Sequence, residues 1–187
     1  MAEVTSLSIG VRVAGDLTEF VLPRGNLPCK RTVKLMTLLD NQKSATIEVR
    51  EGMRTPTCHN EHVMRMSFPL NAHAHKRYHV LELTLEIDAS ECLVVRVYDV
   101  MTKVKAVQQL RKEARRRYTH AHVETMVNEG EEYEEIDARQ AAQVRGEQVR
   151  WAEEYNRKLQ GQLKETIKFP VPCAHFESCH IIHKVFF

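Results

Sequence analysis

The 187 residues carry 27 Lys and Arg against 25 Asp and Glu, a net charge of +2, with 43% hydrophobic and 28% charged residues. This balance describes a soluble globular chain with room for one domain and a helical appendage, and by composition it excludes a polyanion binder or an acidic tail. No apolar run approaches the roughly 18 residues of a membrane span, and the opening MAEVTSLSIG has neither the basic nor the apolar region of a secretory signal.

From Leu7 the pattern has period two. Leu7, Ile9, Val11 and Val13 alternate with polar or small residues, as in a half-buried strand. The prolines at 23, 28, 56 and 69 sit where strands end. An apolar stretch, Leu35 to Leu39, is followed by the turn-forming Asp40-Asn41-Gln42 and by a second alternation of Ala45, Ile47 and Val49 against Thr46, Glu48 and Arg50. Leu81, Leu83, Leu85 and Ile87 alternate again, and Asp88-Ala89-Ser90-Glu91 reads as a hairpin connection to Leu93, Val95 and Val97. Short strands in succession without helical patterns between them predict an antiparallel β-sandwich over residues 1–107.

Residues 108–168 lack proline and are rich in Glu, Arg, Gln, Ala and Lys, which predicts a helical segment. Thr119 is the expected N-cap, and Val123, Met126 and Val127 form one apolar stripe, continued weakly by Tyr133, Ile136 and Val144. So thin a stripe predicts a solvated helix lying on the sandwich by one edge. The basic run Arg111 to Arg117 precedes an acidic run, Glu129 to Glu135, whose charge cancels its field, so no nucleic-acid partner is expected. Phe169-Pro170-Val171-Pro172 should end the helix and begin a separate tail, 169–187. The fold class is thus α+β, a sandwich followed by a C-terminal helical segment.

The five cysteines are odd in number and widely spaced, which suits free thiols in a reducing compartment, and a cytoplasmic location is expected. Ten histidines cluster partly with them: Cys58, His59, His62, His73, His75 and His79 in one region, Cys173, His175, Cys179, His180 and His183 in another. Neither group has the paired short spacing of a zinc site, and no Cys-His pair has a third orienting group. No metal, cofactor or catalytic residue is expected.

Particular stretches go further. Leu7-Ser8-Ile9-Gly10, Arg24 with Leu27-Pro28, Asp40-Asn41-Gln42, Glu51-Gly52, Glu82-Leu83-Thr84 followed by Ile87-Asp88-Ala89, and Asp99 occur in order, with Val123-Glu124-Thr125-Met126-Val127 and Glu131-Glu132-Tyr133 after them. Together they resemble the peptide-binding domain of the DnaK-type, seventy-kilodalton heat-shock chaperones over about Glu3 to Lys164. The resemblance implies a channel in which an extended client segment lies between two loops of the sandwich, with the helical segment as its lid. Carried over by position, its walls are Val11, Val13, Ala14, Leu35, Leu38, Ala45, Ile47 and Leu81. Ala14 and Leu38 form an arch over the peptide, and Gln42 bonds the client main chain. The implied partners are unfolded or extended polypeptides and other chaperones or co-chaperones, in a stress response.

The departures carry expectations too. There is no glycine-rich phosphate loop, and the chain starts near the family's sheet domain, so it is expected to be no enzyme and to bind peptide without its own ATPase. Asp16, Glu91 and Lys103 replace family glycines, each at a cost of about 1 kcal/mol if the site needs positive φ. Val11 and Ala14 are small for wall and arch, implying a wider or shallower pocket. The alternative is a diverged fragment serving as an interaction or assembly domain. Its groove would be lost or self-occupied, because Ile181, Ile182, Val185, Phe186 and Phe187 in the tail resemble client sequence and could fill the site in cis or in a neighbour.

Overall fold

The computed structural model describes residues 6–25, 29–37, 42–71, 79–88, 90–111, 114, 118–166 and 185–186. The strands are β1 (Ser8–Val13), β2 (Leu17–Leu22), β3 (Cys29–Thr37), β4 (Ser44–Gly52), β5 (Glu61–Pro69), β6 (Val80–Ile87), β7 (Leu93–Asp99) and β8 (Lys105–Leu110). The helices α1 (His120–Glu132) and α2 (Glu134–Thr166) follow, and the two-residue strand β9 (Val185–Phe186) comes last. β2-β1-β4-β5 form one sheet and β8-β7-β6-β3-β9 the other. The β1 to β8 pairings are antiparallel, and β9 runs parallel to β3.

Alternation decides which face of each sheet is dry. Leu81, Leu83, Leu85 and Ile87 of β6 are 0% exposed and belong to the same apolar cluster as Ile9 and Val11 of β1, Ile47 and Val49 of β4, and Phe68 of β5. Each such side chain contributes about 1.5–3 kcal/mol by leaving water. β8 departs from this rule. Its Gln108 and Gln109 are exposed on an edge strand, and their polarity conceals a strand that runs on to Leu110. The boundary expected at residue 107 therefore falls inside a strand.

The turn-forming sites bear out the glycine argument. Asp16, Glu91 and Lys103 all have positive φ, at 60°, 57° and 63°. Glu91 sits in the β6–β7 hairpin, where Asp88 Oδ1 accepts from the N–H groups of Ser90 and Cys92. The Lys103 N–H donates to Asp99 O between β7 and β8. Asp16 follows Gly15, itself at φ 82°, in the β1–β2 turn.

Thr119 caps α1 as expected, its hydroxyl accepting from the His122 N–H at 3.3 Å. Met126 is buried, and Val123 and Val127 are half-buried. The stripe does not continue through Tyr133 and Ile136, which are 37% and 46% exposed. Tyr133 is the break between the helices, and its ring covers the Arg54 guanidinium at 4.1 Å. In α2, Ala141 joins the core cluster and Val144 packs against it.

Candidate functional site

The expected wall residues come from four strands and converge at one end of the two sheets. Val11 and Val13 lie toward the end of β1 and Leu35 toward the end of β3, while Ala45 and Ile47 open β4 and Leu81 opens β6. All six share one apolar cluster. Ala14, 4% exposed, starts the β1–β2 turn. Leu38, the other half of the expected arch, lies outside the described residues, as do Asp40 and Asn41. Ile47 is 0% exposed. A charge placed there would test the core as much as any site.

Polar atoms distinguish this end from ordinary core. Gln42 donates through Nε2 to Ser44 O at 2.8 Å, but its Oε1 is buried with no hydrogen-bond partner among the described residues. The Thr37 hydroxyl is in the same condition, on a residue only 2% exposed. The acceptor and the hydroxyl lie on segments adjoining these buried strand ends, and groups of this kind can bond the N–H and C=O groups of a main chain. Arg50 Nε is buried without a hydrogen-bond partner among the described residues too, but Arg50 uses a terminal nitrogen on Glu48, and Arg12 Nε meets Asp16 at 2.7 Å.

The helices are fixed to the β4–β5 connection by a buried ion pair. Arg54 Nε and Nη2 donate to the two Asp137 oxygens at 2.7 and 2.9 Å, and the Thr55 N–H adds a third bond at 3.1 Å. Burial pushes the Asp137 carboxyl up, but these bonds and the guanidinium charge outweigh it and hold it below its ordinary range. Asn60 ties the loop together, accepting from the Arg54 N–H and donating to Thr18 Oγ1 at 2.9 Å. Farther along α2, Arg145 meets Glu19 of β2 at 3.6 Å. A Cβ on Gly15 would stand 2.2 Å from Val144 Cγ1, so α2 lies directly on the β1–β2 turn. Gly130 of α1 is equally tight against Met53.

Two further polar clusters lie apart from the convergence. Glu48, 2% exposed, accepts from Arg12 at 3.3 Å, from Arg65 at 3.2 Å and from Arg50. Burial raises its carboxyl, and the three guanidiniums more than reverse this. By the alternation of β1 and β4 these groups occupy the face opposite Val11 and Ile47. Arg12, Glu48 and Arg65, with Val13 and Thr46, line an open depression of about 270 Å³. His79 is 1% exposed. Its Nδ1 meets Asp99 Oδ2 at 2.5 Å and its Nε2 accepts from the Asn71 N–H. In that pattern Nδ1 donates to Asp99 and Nε2 accepts. Bonds from Thr102, His79 and the Met101 N–H overcome burial and hold Asp99 below its ordinary range. No group of three or more His, Cys, Asp or Glu side chains among the described residues could hold a metal. His73, His75 and the tail group lie outside them.

Sequence reasoning missed the Arg54–Asp137 pair, since no local pattern links residues so far apart. Glu48 was legible only as one polar position on an outer face.

The family model described as Hsp70 protein matches residues 1–179, beyond the resemblance over Glu3 to Lys164. A heat shock protein 70 homolog of Acanthamoeba polyphaga mimivirus is 27% identical over 140 residues, which is 73% of this chain and 15% of the relative. Heat shock cognate 70 kDa protein 3 of Dictyostelium discoideum is 27% identical over 143 residues, 76% of this chain and 22% of the relative. Chaperone protein dnaK of Emiliania huxleyi is 27% identical over 175 residues, 89% of this chain and 28% of the relative. The chain thus spans less than a third of the length of these curated relatives. The expectation of a protein outside enzyme chemistry is corrected by the match: members of the matched family are ATPases, so the chain is related to an enzyme family.

Proposed function

We propose, from the premise that this chain belongs to the Hsp70 family, that its described residues form a peptide-binding module for extended apolar segments of unfolded polypeptides. In this reading the two sheets are a sandwich, and α1 and α2 are a lid segment. The cleft runs between the β1–β2 turn and the end of β3. The observation that carries it is the pair of open polar atoms, Thr37 Oγ1 and Gln42 Oε1, beside the apolar convergence of Val13, Leu35, Ala45 and Leu81. Apolar walls reward the client side chains, and the open groups bond its backbone, so many sequences fit. The position of α2 on Gly15 supports the lid, because a helix there restricts one mouth of the cleft.

Other chaperones or co-chaperones are the partners this reading adds. The free Cys29, Cys58 and Cys92 fit a cytoplasmic setting, which fractionation would test. Anisotropy titration of the full chain with a fluorescein-labelled, leucine-rich heptapeptide should give a dissociation constant of about 1–100 µM. No binding below about 1 mM, with or without the tail contact described next, would contradict the reading.

A second reading, a groove filled by the chain itself, is favoured by β9.

A further inference from the structure

β3 pairs with β6 along one edge. Its other edge would offer bare main-chain groups at Met36 and Thr37, and there β9 lies parallel to it, Val185 opposite Met36 and Phe186 opposite Thr37. β9 also approaches β1. The neighbourhood is therefore that of the proposed cleft: Leu35 precedes this edge, and the open Thr37 hydroxyl belongs to it. An exposed edge beside an apolar cleft recruits an extended segment by strand addition. The recruited sequence has suitable chemistry, since Val185, Phe186 and Phe187 follow His183 and Lys184, an apolar stretch with a basic flank.

We infer that Val185–Phe186 is an internal competitor, which occupies the peptide cleft of its own chain and must leave the β3 edge before a client can pair there. The inference rests on the peptide-binding reading. Its physical basis is the tether. The 167–184 connection keeps the segment at an effective concentration of order 1 mM. If its intrinsic dissociation constant is of order 100 µM, it fills the cleft about nine-tenths of the time and weakens a client about tenfold. Weak clients are then excluded, while a strong one displaces the tail.

The test uses the full chain with Met36→Cys and Val185→Cys, in a Cys173→Ser and Cys179→Ser background. Mild oxidation should link the two introduced thiols within a monomer, as read by non-reducing electrophoresis and peptide mapping. The oxidised form should bind the labelled heptapeptide at least tenfold more weakly than the reduced form. In a separate full-length variant, Val185→Asp with Phe186→Asp should tighten binding about tenfold, because a charged segment no longer suits an apolar cleft. Failure to form the link, a link only between two chains, or equal peptide affinity in oxidised and reduced protein would each overturn the inference. If the link forms but no form of the protein binds the peptide, the peptide-binding reading fails and the competition with it. If the wild-type chain binds as tightly as the double aspartate variant and no link forms, only the inference fails.

Discussion

The base of α2 and the end of β3 are both buried and both contain polar groups, yet they resolve their polarity in opposite ways. At the helix base, Asp137 takes three hydrogen bonds, Arg54 is paired and covered by Tyr133, and Asn60 closes the loop. At the end of β3, Thr37 Oγ1 and Gln42 Oε1 have no partner among the described residues. A buried polar group without a partner costs about 1–3 kcal/mol, so a fold keeps one where something else supplies the bond. The helix base is closed on itself, and on the proposed peptide-binding reading the strand end receives a backbone.

The largest effect should come from opening the closed region. Asp137→Ala leaves a buried guanidinium without its carboxylate and should cost about 3–5 kcal/mol, read as a lowered urea midpoint. Faster proteolysis within α2 would localise the loss to the helix. Arg54→Met combined with Asp137→Leu removes both charges and should cost clearly less than the single change. Equal losses would mean that the pair is not the fastening.

Acid attacks the buried carboxylates more gradually. Asp137, Asp99 and Glu48 are held below their ordinary range in the folded chain and return to about 4 when it unfolds. The unfolded chain therefore binds protons first. Their stabilisation is complete above pH of about 5 and disappears as pH falls through 4 and below, toward the folded values. Urea midpoints at pH 7 and pH 3 should differ strongly in the wild type and less in Asp137→Asn. A pH-independent midpoint would contradict the assignment of these carboxylates as paired anions.

The open end should respond in binding and hardly in stability. Gln42→Ala removes one hydrogen bond to the client and should weaken heptapeptide binding about fivefold, equivalent to about 1 kcal/mol, with the melting temperature unchanged. A loss of stability with unchanged affinity would move Gln42 from the site to the scaffold.

The smallest effect sharpens the contrast from the turns. Glu91→Gly and Lys103→Gly should each stabilise by about 0.5–1 kcal/mol, since both native residues hold positive φ and glycine adopts it freely. Asp16→Gly should gain less. Aspartate tolerates this conformation better, and Asp16 also meets Arg12 Nε at 2.7 Å. Differential scanning calorimetry resolves the order, and a larger gain at Asp16 would reverse the argument.

Periodicity made β1, β4, β6 and β7 readable, because one face of each is dry, whereas β2 and β5 were not read as strands. It failed at β8, where an edge strand bearing Gln108 and Gln109 buries too little to alternate. The candidate walls were legible as strand positions, but alternation alone cannot distinguish a cleft from a core, and Val11, Leu35, Ala45, Ile47 and Leu81 are all 0% exposed. The three positive-φ sites were legible only through the resemblance, which implies family glycines at 16, 91 and 103. The Arg54–Asp137 pair and the His79–Asp99 pair were not, since each joins residues that only the folded chain brings together.

Amide hydrogen exchange of the full chain, with and without a saturating concentration of the leucine-rich heptapeptide, tests the central contrast most directly. The account predicts slowed exchange at 11–17 and 35–47 on peptide addition, with the already protected 52–60 loop unchanged. Protection confined to other segments, or none at either of these two while the peptide is demonstrably bound, would contradict it.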